Sequence, residues 1–262
     1  MIINRIYSDY LMVSRLGEYK KLLIESLRLG YQHVSLIQYN DILNSGIFNK
    51  NVLYFIHRHD IDTDVRTAKK MFSIEKSLGI RSSYYFRLST LDYCFMKEID
   101  EYGSEASYHF EELSDYCKKY NIKSKEKALS NLDKIRLIFK RNIEVIEKES
   151  AIKIRSVAAH GDFVNRQLGV VNNVITDDFS LRNELGIDCE AYDSKLVDSF
   201  DLYISDKPHP IYFSPLSPFQ ALKSLNTKNT VICMTTHPRQ WETNWVVNTK
   251  DNIFRAIEGA RW

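Results

Sequence analysis

An α/β fold, drawn as a distorted (β/α) barrel of about seven parallel strands, is what this chain predicts, on three observations. Its 262 residues suit one such barrel built round a single core. Short β-rich runs alternate with stretches of helical period. The strands so drawn end on ligand-type residues, as they do where a parallel fold assembles its chemistry. A doubly wound open sheet is the alternative. No Pro/Gly/Ser-rich linker or internal repeat divides the chain, so 1–262 reads as one domain, with its chemical motifs in about 52–241.

The elements follow in order. GEYKKLLIESLRLG has helical spacing and ends on Gly30, a residue that stops helices. A short extended piece, HVSLIQ, precedes the first strong strand, NVLYFIHR, which HDID ends. A helix from about Asp64 places Ala68, Met71, Phe72, Glu75 and Leu78 on related faces and stops at Gly79. The strand RSSYYFRL, a helix near 93–102 and the strand EASYH come next. Through 124–149, Ala128, Leu132, Ile135, Phe139, Ile143 and Ile146 step by three or four residues, one apolar stripe for packing on a sheet. The second half supplies the strands IRSVAAH, GIDCEA, DLYISD and TVICMTTH and a last helix near 250–260.

Bulk composition excludes several function classes. Basic and acidic residues number 36 and 34, for a net charge of +2, and they are mixed along the chain, so there is no electrostatic footprint for nucleic acid. The opening stretch interrupts its apolar residues with Asn4, Arg5, Asp9 and Arg15, unlike a signal peptide, and no later run has membrane-spanning length. The expectation is a cytoplasmic protein without an integral membrane segment. Four cysteines, Cys94, Cys117, Cys189 and Cys233, form no CxxC pair, so neither a disulfide framework nor a thiolate zinc site is expected.

The chemistry gathers at strand ends: Asp60 and Asp62, then His109, His160, Asp206 and His237. Asp60 and Asp62 are two apart, so on an extended segment both point the same way. Two carboxylates that close either bind a cation or split their pKa values; the structural alternative is a strand-to-helix turn with an Asp cap. Neutral imidazole is the commonest protein ligand for zinc-like ions, and the strand-end position of His109 and His160 favours that role over a hydrogen-bonded core. Arg58 either holds an anionic substrate group or makes a structural ion pair. Tyr108 and Trp241 lie beside candidate loops, where an aromatic face suits a sugar ring; core packing is the competing use. His33 and His209 read as structural.

RHDID, GIRSSYYFRL, YGSEASYHFEEL, AAHGDF and TTHPRQW, in that order, resemble the polysaccharide deacetylase superfamily, the carbohydrate-esterase group with the NodB homology domain. Within it they resemble a WbmS-like branch of surface-polysaccharide and O-antigen synthesis. The resemblance runs from Val52 to Trp241. It implies a NodB-like distorted barrel and a divalent metal ion, usually zinc, that activates water for N-deacetylation of an acetamido sugar. By motif, Asp60 takes the place of the catalytic base, Asp62 of the first metal ligand, His109 of the first histidine of an HxxxH pair and His237 of the general acid. Leu113 stands where the second histidine belongs, and Ser104 where many relatives carry GHE. His160 is the expected replacement ligand, with Glu111 and Glu112 as the other candidates. Arg58, Tyr108 and Trp241 are the expected substrate contacts. The expected substrate is a small-molecule sugar, nucleotide- or carrier-linked. The alternatives are a degenerate barrel that binds sugar or serves as a scaffold, and a different metal hydrolase such as a phosphoesterase.

Overall fold

The computed structural model describes residues 2–223 and 230–262. Nine strands make one sheet: β1 (Gln32–Val34), β2 (Tyr54–Ile61), β3 (Ser83–Phe86), β4 (Glu105–Phe110), β5 (Ser156–Ala159), β6 (Cys189–Glu190), β7 (Leu202–Asp206), β8 (Phe213–Ser214) and β9 (Val231–Thr236). The helices begin with α1 (Ile2–Ile6), α2 (Leu16–Arg28), α3 (Leu36–Asn44), α4 (Val65–Ser77), α5 (Tyr93–Glu101) and α6 (Glu112–Tyr120). They continue with α7 (Lys125–Leu129), α8 (Leu132–Ser150), α9 (Phe163–Leu168), α10 (Phe179–Leu185), α11 (Ser194–Val197), α12 (Pro218–Lys223) and α13 (Trp245–Arg261).

The order across the sheet is β6-β5-β4-β3-β2-β9-β7-β8, with β1 beside the opening half of β2. Every pair is parallel except β7 with β8. The seven predicted strands are β2 to β7 and β9. Two more are found: β1, which overlaps the start of the piece drawn only as extended, and the antiparallel β8. Each spans three residues or fewer, too short for a period-two pattern to register. The two ends of the order do not pair among the described residues, so the sheet is a partial barrel of nine strands where about seven were expected.

The curl shows in one contact. Arg58 on β2 donates to the hydroxyl of Tyr192, just past β6, at 3.0 Å. Four strand spacings on a flat sheet would part the two backbones by roughly 19 Å, beyond the reach of both side chains together. Alternation along β2 then sorts residues by face. Tyr54 and Ile56 join Tyr85, Ala158, Cys189 and Cys233 in an inner apolar cluster, and Arg58 and Asp60 continue that face toward the carboxyl ends. Phe55 and Ile61 pack outward under helices. All eight residues of β2 are buried, as a strand covered on both faces requires.

Two helical expectations are refined. The stretch 124–149 divides at Ser130–Asn131 into α7 and α8; Ile135, Phe139, Ile143 and Ile146 of α8 are buried as one stripe. Helix α3, absent from the sequence reading, starts at a capping box in which Ser35 and Gln38 satisfy each other's backbone N–H. The last helix begins at Trp245, earlier than drawn.

Candidate metal centre

Strand β2 and the residue after it carry the first two acidic groups. Asp60 faces the concave side, two residues after Arg58, which grips it through Nε–Oδ1 and Nη2–Oδ2 contacts of 2.8 Å each. Both side chains are buried. Burial pushes the Asp60 pKa up, but Arg58, His109 and His237 outweigh it and hold the carboxyl below its ordinary value. Arg58 also lies over the ring of Tyr192 at 4.5 Å. Of its two expected roles, the ion pair is the one present.

Asp62 lies one residue past the strand. Its Oδ1 is 3.5 Å from His109 Nε2 and 3.6 Å from His160 Nε2. The same oxygen is buried without a hydrogen-bond partner. Burial again raises its pKa, and His160, His109 and His237 outweigh that and hold it well below the usual carboxylate range. The residue is therefore an ionised carboxylate facing two imidazoles.

One of the two imidazoles is aimed from behind by a hydrogen bond. His109, on β4, has its Nδ1 2.9 Å from the carbonyl of Ala158 on β5. A carbonyl only accepts, so Nδ1 carries a proton, and Nε2 is the nitrogen turned toward Asp62. His160 follows β5; its Nδ1 lies 3.0 Å from Glu111 Oε2 as a charge contact without hydrogen-bond geometry, and Glu111 is gripped by Arg87 through two 2.7 Å contacts. Histidine ligands are commonly oriented by a carboxylate or carbonyl on the far nitrogen, as the Ala158 carbonyl does for His109.

The donor set fits a divalent ion. One ligand atom each from Asp62, His109 and His160 lies within 4.8 Å of the others. Ligands held at about 2.0–2.1 Å in a tetrahedron are separated by about 3.3 Å, close to the two contacts given above. The unsatisfied Asp62 oxygen is the atom such an ion would take. Three protein ligands also leave one position open for water, the arrangement of catalytic rather than structural zinc.

Two further groups have ligand-like composition and a different explanation. Glu111, His160 and Asp162 cluster, but Glu111 is held by Arg87 and Asp162 by Lys118 at 3.1 Å. His57, His59 and Glu75 also cluster, on the outward face of β2. There the Glu75 carboxylate is already satisfied: it accepts from Tyr19, Ser82 and Tyr84 and contacts His59 at 2.7 Å, while His57 turns its Nε2 to His33 at 3.0 Å and leaves its Nδ1 without a partner.

His237 follows β9. Its Nδ1 lies 2.6 Å from Asp206 Oδ1, and its backbone N–H donates to Asp206 Oδ2 at 2.7 Å. Burial lowers the pKa of the ring, and Asp206 outweighs it, with Asp62 and Asp60 adding, so that it rises to about 10. The imidazole is thus charged at neutral pH, and 29% of its side-chain surface stays exposed, enough for a substrate to reach it.

The two expected aromatic contacts are corrected by burial. Tyr108 points away from the concave face; it is fully buried against Phe139, and its hydroxyl donates to Glu112 at 2.6 Å. Trp241 is fully buried against Tyr19 and donates from Nε1 to Asp206 at 3.0 Å. Neither offers a face to a sugar. Trp241 instead helps fix the carboxylate that charges His237. Leu113 lies in the core, and Glu112 bonds Tyr108 and Asn142, so neither faces the metal donors. The Arg87–Glu111 clamp carries no local sequence signal, because its partners lie 24 residues apart.

A cavity of about 800 Å³ opens onto Asp62 and His160, with α9 and α13 among its walls. No helix among the described residues is long and apolar enough to cross a membrane.

No family model and no curated protein matches the chain. Among solved structures it is similar to the peptidoglycan deacetylase PdaC from Bacillus subtilis, with 13% identity and a TM-score of 0.37 over 81% of this chain and 87% of that one. A mutant of a CE4 family pseudoenzyme with restored enzymatic activity matches at 10% identity and a TM-score of 0.36, over 78% of this chain and 63% of that one. At these values the likeness adds nothing to the geometry, on which the reading of the site rests.

Proposed function

We propose that this chain is a metal-dependent hydrolase that removes the N-acetyl group from an acetamido sugar, within surface-polysaccharide synthesis in the cytoplasm. The observation that carries the reading is the buried, unpartnered Oδ1 of Asp62 between two imidazole nitrogens. The five-motif resemblance supplies the acyl group and the biological setting.

Asp62, His109 and His160 would hold the ion, zinc first among the candidates. When bound, it acidifies a water and polarises the acyl carbonyl. Asp60, whose Oδ2 lies 3.6 Å from His109 Nε2, would serve as the base that takes a proton from the attacking water. Arg58 keeps Asp60 ionised and oriented. The water oxygen bonds the acyl carbon, the carbon–nitrogen bond breaks, and His237 gives its Nε2 proton to the departing amine, so that acetate and a free amino sugar leave. Asp206 keeps that proton in place until it is needed.

Elemental mass spectrometry of the purified protein tests the centre. Near-stoichiometric metal in the unaltered chain, lost in both Asp62→Ala and His109→Ala, is the expected result. Metal content unchanged by either substitution, or no acetate from any acetamido sugar after metal loading, would overturn the proposal.

A further inference from the structure

The cavity that opens onto Asp62 and His160 is larger than removal of an acetyl group requires, and its lining sets four cations, Arg87, Arg166, Lys250 and Arg255, against four carboxylates. At about 800 Å³ it falls in the upper part of the roughly 300–1,000 Å³ range that encloses a whole ligand. Its charged lining can be paired off. Arg87 is taken by Glu111, Asp251 by Arg239 and Arg255, and both Asp162 and Glu258 by Lys118. Asp62 faces the two imidazoles. Two lining cations then remain without a carboxylate among the described residues: Arg166 on α9, six positions beyond His160, and Lys250 on α13. Lys250 has only an aromatic neighbour, Phe254, at 5.9 Å. A cavity whose lining holds an unpaired guanidinium and an unpaired ammonium together with Asp62 and His160 is complementary to a ligand that brings its own negative charge.

We infer that Arg166 and Lys250 form an anion subsite for a phosphate carried on the sugar, so that the substrate is a glycosyl phosphate ester rather than a neutral sugar. The inference rests on the proposed sugar-hydrolase reading of the same cavity. Nucleoside-diphosphate sugars and prenyl-diphosphate sugars share this chemistry.

Calorimetric binding to the zinc-loaded protein tests it with two probes that lack an acetyl group and cannot be turned over, glucosamine 1-phosphate and glucosamine. The phosphate ester is expected to bind tighter by about tenfold or more, the contribution of one charge-assisted hydrogen bond. The preference should vanish in Arg166→Ala/Lys250→Ala and return in part with Arg166→Lys on an otherwise unaltered chain. Both residues are exposed, so the variants keep the fold, which a melting curve confirms. Equal binding of the two probes, no binding of either, or a preference that survives the double substitution would overturn the inference. Competition by a nucleoside-diphosphate amino sugar against a short-chain prenyl-diphosphate one then tells the two sources apart. The two proposals fail separately: acetate released equally well from neutral and phosphorylated substrates sinks only the subsite. A phosphate preference without acetate release sinks only the hydrolase reading.

Discussion

Asp206 decides the protonation of His237, and the direction of that effect sets a pH profile. The ring titrates near 6.5 in the unfolded chain and at about 10 in the fold. The pair therefore contributes its full stability below pH 6.5, and the contribution is lost as pH rises through about 10. The same shift keeps the proposed acid charged across neutral pH, so the basic limb of kcat/KM should lie near pH 10. Asp206→Asn should move that limb down toward neutrality and lower kcat/KM by about 10²–10⁴, the usual worth of a positioned proton donor. A pH–rate profile identical to that of the unaltered enzyme would remove His237 from the acid role. On the other side of the site, Arg58→Met should leave Asp60 buried without its cation, at a cost of about 3–5 kcal/mol in urea unfolding. Asp60 is depressed below its ordinary value of 3.8, so its contribution is present above that pH and fades as pH falls below it. The difference between Arg58→Met and the unaltered chain should shrink in acid.

At the element scale, β4 shows how one strand serves core and site together. Its odd position His109 faces the donors, while Tyr108 and Phe110 pack outward on Phe139 of α8, with ring centroids 6.1 and 5.1 Å away. Phe139→Ala should therefore cost about 3–5 kcal/mol of stability, read in urea, while the protein that remains folded still binds metal. Loss of metal from that folded fraction would show that α8 positions the donors directly. The alternation that separates these roles was visible in EASYH and in HDID, because a period of two needs only local sequence. Helix α3 was missed although its Ser35–Gln38 cap was there to be read, because the β-rich HVSLIQ drew the assignment toward strand. Tyr108 and Trp241 were drawn to the substrate by their type and their nearness to motif residues, and only the side of the sheet on which each lies sends them to the core.

For the molecule as a whole, the proposed metal donors lie at the carboxyl ends of β2, β4 and β5, so occupancy should stabilise the entire sheet. An ion at a hundredfold excess over its Kd adds about 2.7 kcal/mol to stability, which for a chain of this size raises Tm by roughly 5–10 °C. Zinc should produce that shift and a chelator should reverse it, with neither effect in Asp62→Ala. A Tm indifferent to every divalent ion would count against a site at the strand ends. The partial barrel also explains how residues so far apart in the chain meet. Curling brings Tyr192 onto Arg58 across four strands, which strand assignment alone does not predict.

By itself the sequence determined the α/β alternation, seven of the nine strands, the apolar stripe of α8 and the strand-end placement of the ionisable groups. All of these follow from period and from neighbours a few residues away. Tertiary structure alone decided that the ligand atoms of Asp62, His109 and His160 come within 4.8 Å of one another, that Glu111 contacts His160, and that Asp206 charges His237. It also decided that Tyr108 and Trp241 are core. The physical reason is the same in each case. Which face a strand turns inward, and how far the sheet curls, is set by burying both faces of β2 at once, a balance of packing across the whole molecule that no local window of sequence contains.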